Sequence, residues 1–204
     1  RLRQLPGSVW GHEHLVYVDL SNNNISEVHM NIEKAKTLQS LYLGNNTLKG
    51  LPKQIGNTNI IWLMLEGNNF KTIPSAILDL HNTLHCLRFG HQNITYLPEN
   101  IGSLSLGEFD LRNNNISSLP ESFNNFKNLK LLYLSKNPIC TTAPDKVKEI
   151  VVKNKGDPDS VGCTKQCSDY CQNHWLKARS CSRECNTRKC IDERMATYGR
   201  EKCL

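Results

Sequence analysis

The residues of this chain best suited to covalent or metal chemistry are its nine cysteines. Seven of them lie within the last 42 residues, 163–204, whereas Cys86 and Cys140 lie upstream. Cysteines at this density either cross-link a small module as disulfides or hold zinc as thiolates. Zinc sites favour a C-x2-C spacing in a reducing compartment, whereas the short spacings here are C-x3-C, although His174 lies nearby. The cysteines therefore favour disulfides over zinc.

Four glycosylation sequons indicate the same kind of compartment. They begin at Asn24, Asn45, Asn93 and Asn115. Together with an even set of eight well-spaced cysteines, they favour an oxidising, extracellular setting, either secreted or as a cell-surface ectodomain. Cys86 is the ninth, odd cysteine. We expect a partly covered thiol at this position, with an intermolecular bond or a modification as the alternative.

Catalysis has little support in the sequence. His85, His91, Glu108 and Asp110 could meet on adjacent strands, but no nucleophile elbow, phosphate loop or metal-spaced histidine pair is present. We therefore expect a non-catalytic protein without a cofactor. A net charge of +6 is too modest and too dispersed to indicate nucleic acid binding. The sequence contains no apolar run of about 18 residues that would cross a membrane, although the chain could belong to a membrane-anchored protein.

A repeated template occupies the first 140 residues and must position any binding surface. Six segments share the pattern LxxLxLxxNxL, in which one asparagine recurs every 22–24 residues. A second phrase, Leu-Pro or Ile-Pro, follows four of the six segments. One repeat cannot bury its own leucines, so the repeats must stack on one another. The template asparagines are Asn23, Asn46, Asn68, Asn114 and Asn137, and Gln92 takes the place of one.

Each template position has a structural reason. Alternate apolar residues point from a short parallel strand into the core, and the asparagine amide satisfies backbone groups where the chain turns away. Proline keeps the following segment extended. The pattern resembles the leucine-rich repeat family, in its short type with a Leu-Pro phrase. The resemblance implies an α/β fold, a right-handed solenoid with a parallel concave sheet. At Gln92 we expect a small local distortion.

Three segments are expected: an N-terminally incomplete solenoid with six strand-bearing repeats over 1–139, a helical cap over 140–163 and a cysteine-rich module over 164–204. Residues 2–6, Leu-Arg-Gln-Leu-Pro, match the second phrase of a repeat whose strand is missing. We therefore expect a fragment of a longer solenoid, or a solenoid that follows an upstream repeat.

The cap is expected to be a short helix that closes the last repeat. Thr141 or Thr142 can cap a helix with Pro144 in its first turn, followed by an apolar face at helical spacing. We expect a Cys140–Cys163 disulfide across this cap, as in the carboxy-terminal caps of extracellular leucine-rich repeat proteins.

The module over 164–204 must be held by cross-links, because about 40 residues cannot bury a sufficient core. Its six cysteines run C-x3-C-x9-C-x3-C-N-x3-C-x12-C, and spacing alone leaves 15 connectivities open. The order, and Asn186 directly after the fourth cysteine, are similar to a Lin-12/Notch repeat. That resemblance implies the disulfides Cys167–Cys190, Cys171–Cys185 and Cys181–Cys203. A disulfide knot of another type is the alternative.

Calcium is the metal that the Lin-12/Notch resemblance implies. Asn186 and Asp192 match the oxygen ligands of that family. The final loop is, however, twice the usual length and lacks the Asp-Gly-x-Asp-Cys ending, whereas calcium needs six to eight oxygens. We therefore expect no bound metal.

The outward positions of the strands form the candidate binding surface. Exposed aromatic residues, methionine and arginine concentrate binding energy at protein interfaces. Side chains on neighbouring strands also stack on each other and stabilise a sheet, which is the alternative role for any one of them. For Trp62 and Arg88 together we favour binding. The candidate set is Tyr17, Asp19, Tyr42, Trp62, Met64, Glu66, Arg88, Glu108, Asp110, Arg112 and Tyr133.

The sequence as a whole predicts extracellular recognition of a protein or peptide on the concave face, in a receptor-like ectodomain or adhesion protein. This step rests on analogy with the resembled family, because fold alone does not fix function. Two alternatives stay open. One is a secreted inhibitor or effector that binds and blocks a foreign enzyme, and the other is a purely structural spacer.

Overall fold

The computed structural model describes residues 1–161 and residue 163. Within them, six three-residue strands form one parallel sheet in the order of the chain. Each strand pairs with the next over all three residues, and the central residue of each is buried, so that the repeat period brings equivalent template positions side by side. The strands are β1 (Tyr17–Asp19), β2 (Ser40–Tyr42), β3 (Trp62–Met64), β4 (Cys86–Arg88), β5 (Glu108–Asp110) and β6 (Leu131–Tyr133).

Single helical turns lie on the return side of the coils, opposite the sheet. The Leu-Pro and Ile-Pro phrases begin four of these turns, because the proline carbonyl accepts a hydrogen bond from the amide three residues later. That third residue is apolar and fully buried in each of the four coils. The turns are α1 (Ser75–Leu78) and the 3-10 turns Gly7–Gly11, Met30–Lys34, Lys53–Asn57, Ile101–Ser103 and Glu121–Asn125.

The asparagine ladder joins each coil to the one before it. The Asn68 amide nitrogen donates to the carbonyl oxygens of Leu43 (2.9 Å) and Leu65 (2.8 Å), and its oxygen accepts from the Leu48 amide at 3.0 Å. Asn46, Asn114 and Asn137 make the same set of bonds with their own neighbours. Buried backbone groups at every turn away from the sheet are thus satisfied by one side chain.

Gln92 fills the same place with a longer side chain and distorts the coil locally, as expected. Its amide nitrogen donates to Leu65 of the preceding coil, at 2.5 Å, and its oxygen accepts from the Phe70 amide at 3.3 Å. Asn93, directly after it, has a φ of 76°, and no equivalent residue of the other described coils has a positive φ. The extra methylene of glutamine is therefore absorbed by the backbone of this coil.

Besides the asparagine ladder, a second column of equivalent residues, one in each coil, shares an unusual backbone conformation. This column was not predicted from the sequence. In every coil, the residue immediately before the ladder position has a φ between 54° and 66°. Glycine and asparagine adopt this left-handed region most readily, and they occupy four of the six positions. The column consists of Asn22, Asn45, Gly67, His91, Asn113 and Lys136.

The cap covers the edge of the last strand. Helices α2 (Ile139–Thr142) and α3 (Pro144–Lys153) and a 3-10 turn at Pro158–Val161 follow β6. The Ser160 hydroxyl accepts from the Leu132 amide at 3.1 Å, and the Val161 carbonyl accepts from the Leu134 amide at 3.1 Å. Cys140 and Cys163 are joined by a disulfide in this structure. The apolar face of α3, at Val147, Ile150 and Val151, is buried.

The expected capping of α3 by a threonine is wrong. Ala143 is the N-cap residue and makes no side-chain capping bond. The hydroxyls of Thr141 and Thr142 instead donate back to the carbonyl oxygens of Pro138 (2.7 Å) and Ile139 (3.4 Å). Because α2 extends through Thr142, both threonines lie inside a helical turn, where back-bonding of this kind is common.

At the amino end, Leu2 and Arg3 occupy the place of a preceding coil. The Leu2 amide donates to Asn23 Oδ1 at 3.0 Å, and the carbonyl oxygens of Leu2 and Arg3 accept from the amides of Asn24 and Ser26. The segment 164–204 lies outside the described residues. So do the expected disulfides Cys167–Cys190, Cys171–Cys185 and Cys181–Cys203 and the calcium candidates Asn186 and Asp192.

Candidate functional site on the concave sheet

The outward side chains of the sheet, here called the concave face, form two rows fixed by the strand register. Neighbours within a row are about 5 Å apart, because they lie on adjacent strands. The first row is Tyr17, Ser40, Trp62, Cys86, Glu108 and Leu131. The second row is Asp19, Tyr42, Met64, Arg88, Asp110 and Tyr133.

The amino-terminal half of this face carries an aromatic patch, defined as Tyr17, Tyr42 and Trp62. The rings of Tyr17 and Tyr42 meet edge to face, with centroids 5.1 Å apart at 80°. The Tyr17 hydroxyl donates to Asp19 Oδ2 at 3.3 Å, and Asp19 is exposed. The small residue Ser40 lies between Tyr17 and Trp62, two strands or roughly 10 Å apart. Tyr17, Tyr42 and Trp62 are all partly exposed.

The carboxy-terminal half carries two ion pairs instead. Arg88 Nη2 lies 3.3 Å from Glu108 Oε1, and Arg112 Nη2 lies 2.6 Å from Asp110 Oδ2. The Arg112 Nε also donates to Asp110 Oδ1, and its guanidinium lies 5.2 Å from the centre of the Tyr133 ring. Glu108 and Asp110 are only 5% and 4% exposed. The charges of each pair therefore oppose each other within the sheet surface, although Arg88 Nε is buried without a hydrogen bond to the described residues.

Burial and charge shift two pKa values in this half. Burial by itself lowers the pKa of Arg88, but the carboxylates, led by Glu108, raise it on balance. Burial raises the pKa of Tyr133, and Glu108 raises it further. Arg88 therefore stays charged and Tyr133 stays protonated across the physiological pH range.

Three of the remaining predicted contact residues are buried, and one is partly exposed. Met64, Arg112 and Tyr133 are buried. Glu66 is partly exposed, and its carboxylate lies over Gly44, where a Cβ atom would come within 2.6 Å of Oε1. Glycine at position 44 thus allows a carboxylate of the next coil to fold onto the sheet.

Cys86 is a thiol, but the expected partial cover is complete: its exposure is 0%. In the sheet register it lies between Trp62 and Glu108, whose longer side chains flank it on both sides. The alternative of an intermolecular disulfide would therefore require local opening of the sheet.

This burial gives a labelling prediction. Native protein should not react with iodoacetamide. Unreduced protein in about 6 M guanidinium, a concentration that unfolds even very stable domains, should gain one label, on Cys86. The physical reason is that burial shields the Cys86 thiol from the reagent, while the other eight cysteines are expected to be paired as disulfides and so unable to react. Intact-mass spectrometry counts the labels. More than one label without reductant would contradict full pairing of the other cysteines.

The histidines and carboxylates that suggested acid–base chemistry do not form one cluster. The His85 ring lies over Gly107, and His91 Nε2 lies 3.1 Å from the side-chain nitrogen of Asn113. Glu108 and Asp110 are held by the two arginines. Within the described residues, no group of three or more His, Cys, Asp or Glu side chains is arranged to hold a metal ion.

The four sequons differ in accessibility. Asn24, Asn93 and Asn115 follow a ladder position and are exposed. Asn45 precedes one, and its amide nitrogen donates to Asn22 Oδ1 at 3.0 Å. A glycan on Asn45 would compete with that bond. Among the helices of the described residues, none has the length and apolar character needed to cross a membrane.

Two stretches of the chain are similar to a known repeat family. The Leucine Rich Repeat family model matches residues 14–33 and 105–126, which contain β1 and β5. These two stretches are similar to leucine-rich repeats. The stacking of six coils into one parallel sheet is the fold of a leucine-rich repeat solenoid, as the solved structures below also indicate.

The relatives with similar sequences align with only part of this chain. Leucine-rich repeat-containing protein 58 of Xenopus tropicalis is 35% identical over 82 residues, which are 39% of this chain and 24% of that protein. The chain thus spans about a quarter of the length of the curated relatives that it matches.

Two solved structures share the fold. The Arabidopsis receptor kinase HAESA, solved with the peptide hormone IDA and the co-receptor SERK1, has a TM-score of 0.56 and 29% identity. The match covers 66% of this chain and 24% of HAESA. The PEPR1–AtPEP1 structure has a TM-score of 0.53 and 22% identity, over 62% and 19% of the two chains, and supports the fold alone.

Proposed function

We propose that this chain recognises a protein or peptide ligand outside the cell, through the aromatic patch of its concave face, without catalysing a reaction. The observation that carries the proposal is the arrangement around Ser40. Tyr17 and Trp62 flank a small residue on a sheet, and the Tyr42 ring packs edge to face against Tyr17. Aromatic side chains contribute disproportionately to binding energy, and a short parallel sheet presents them with little conformational freedom to lose.

The chemistry of this patch favours a ligand with a basic side chain. Asp19 supplies an exposed carboxylate beside the Tyr17 hydroxyl. Aromatic faces beside a carboxylate attract lysine or arginine by cation–π and Coulombic interactions together. We assign the two ion pairs of the carboxy-terminal half a role in supporting the sheet surface rather than in contacting the ligand, because their charges already face each other. Of the eleven candidate residues, five are exposed or partly exposed and take no part in these two ion pairs. They form the proposed contact set: Tyr17, Asp19, Tyr42, Trp62 and Glu66.

Two further observations support this proposal. HAESA, whose ectodomain shares the fold at 29% identity, was solved in complex with a peptide hormone. The exposed sequons and the bonded Cys140–Cys163 pair agree with an oxidising, extracellular setting.

Trp62→Ala tests the proposal, with peptides selected from a displayed random library on the immobilised full chain as the probe. The substitution should weaken binding of those peptides at least about tenfold, equivalent to about 1.4 kcal/mol. Tyr96→Ala is the matched control, because Tyr96 is an aromatic residue 59% exposed on a return segment. It should change affinity less than about twofold, since surface substitutions remote from a contact are usually near neutral.

Thermal melts of both variants separate lost binding from lost folding. Equal affinity of the Trp62→Ala and Tyr96→Ala variants, with both folded, would overturn the proposed surface.

A further inference from the structure

A cluster of three lysines lies on the return side of the second and third coils, away from the concave face. Lys49 lies three residues after the ladder residue Asn46, and Lys71 lies three residues after Asn68. The two coils are bonded at this height, since the Asn69 amide donates to the Leu48 carbonyl at 2.8 Å. Equivalent template positions therefore place Lys49 and Lys71 one above the other. The corresponding residues of the first, fourth and fifth coils are neutral: Ser26, Thr95 and Ser117.

These lysines surround a cleft of about 260 Å³. Lys53, just after the proline of the second coil, adds a third positive charge to its wall. Thr72 and Ser75, of the third coil, add hydroxyl groups. None of the described residues that line the cleft is acidic. The cleft therefore combines several positive charges with hydrogen-bond donors.

Nothing in the described part of the chain neutralises these charges. Lys49, Lys53 and Lys71 make no ion pair and no side-chain hydrogen bond with another described residue, whereas Lys36 and Lys153 each donate to a backbone carbonyl. Like charges exposed on neighbouring coils repel each other through solvent, and an anion bound between them would relieve that repulsion. An anion in the cleft would turn three mutually repelling charges into three attractive contacts.

We propose that this cleft binds a sulfate or phosphate group of a ligand. Tetrahedral oxyanions offer several acceptor oxygens, and lysine ammonium groups bind them as mobile point charges with three donors each. The Thr72 and Ser75 hydroxyls supply further donors. The cleft is open to solvent, so an anion with several charged groups, such as a sulfated oligosaccharide, binds more tightly than a single inorganic ion. This site is separate from the aromatic patch and does not depend on the proposed function.

The test compares two double variants of the full chain that lose the same charge. In Lys49→Gln/Lys71→Gln the stacked pair is removed. In Lys127→Gln/Lys130→Gln two exposed lysines near the last coil are removed as the matched control. The probes are inorganic phosphate, inorganic sulfate and a heparin-derived sulfated oligosaccharide, each titrated by calorimetry at low and at physiological salt.

The oligosaccharide should bind the unaltered chain in a salt-dependent manner, because charge contacts are screened by salt. The Lys49→Gln/Lys71→Gln variant should lose at least about fivefold in affinity for the oligosaccharide, because it removes two charges that contact the ligand. The control should lose less than about twofold, because its two charges are remote from the ligand. Binding of phosphate over sulfate, or the reverse, identifies which oxyanion the cleft prefers.

Equal losses in both variants would attribute binding to net charge and overturn the site. Absence of binding of all three probes to the unaltered chain at millimolar concentration would overturn it as well. Peptide binding at the aromatic patch should be the same in both lysine variants, so that failure of one proposal is distinguishable from failure of the other.

Discussion

Replacement of Asn114 by alanine is expected to lower the free energy of unfolding by about 3 kcal/mol, since unsatisfied buried polar groups cost about 1–3 kcal/mol each. The Asn114 amide nitrogen donates to the carbonyl oxygens of Phe89 (3.0 Å) and Leu111 (2.9 Å). Its oxygen accepts from the amides of Gln92 and Ile94, both at 3.2 Å. Alanine would leave the Phe89 carbonyl and the amides of Gln92 and Ile94 without this partner inside the solenoid, whereas the Leu111 carbonyl would keep its bond from Asn137 at 2.9 Å. Equilibrium unfolding in urea measures the change.

Asn69→Ala is the control for this prediction. Asn69 is an exposed asparagine immediately after a ladder position, and its side chain makes no hydrogen bond with the described residues. Its replacement should change stability by no more than about 0.5 kcal/mol, as is usual for surface positions. Similar losses in both variants would show that the ladder does not join the coils.

Removal of the Cys140–Cys163 disulfide by a double substitution to alanine is expected to cost about 3 kcal/mol, the loop-closure estimate for a bond that spans 23 residues. The bond ties α2 to the segment that covers β6. That segment supplies the Ser160 hydroxyl and the Val161 carbonyl as acceptors for the amides of Leu132 and Leu134. The effect should therefore be concentrated at the last coil.

Hydrogen exchange locates this loss. The amides of Leu132 and Leu134 should exchange faster in the double variant, whereas those of Leu41 and Leu63, in the second and third coils, should change much less. Coils of a solenoid contact only their neighbours, which confines local opening to the damaged end. Uniform acceleration along the chain, or none, would contradict a capping role for this bond.

The fold could be predicted from the sequence because the repeat fixes both period and register. A spacing of 22–24 residues between ladder positions places Leu41, Leu63 and Leu87 side by side, as the strand pairing confirms. The ladder role of Gln92, and the distortion beside it, also follow from the template. The left-handed column could have been recognised, since asparagine or glycine occupies most of its positions.

The concave face was harder to predict because its character depends on contacts between neighbouring strands. Cys86 is covered completely since Trp62 and Glu108 flank it, and period-two alternation alone cannot show how large those neighbours are. Arg88 faces outward in the template, yet Glu108 on the next strand holds it in an ion pair. The lysine cleft is visible only when Lys49 and Lys71 are aligned in neighbouring coils.

The proposed recognition surface requires that the strands lie parallel and in register. Nuclear Overhauser effects between backbone protons test this most directly in solution. We expect cross-strand contacts that pair Val18 with Leu41, Leu41 with Leu63, and Leu63 with Leu87. They should continue in one direction through Phe109 to Leu132. Antiparallel pairings, or only the local contacts of separate helices, would contradict the stacked solenoid and the concave face built on it.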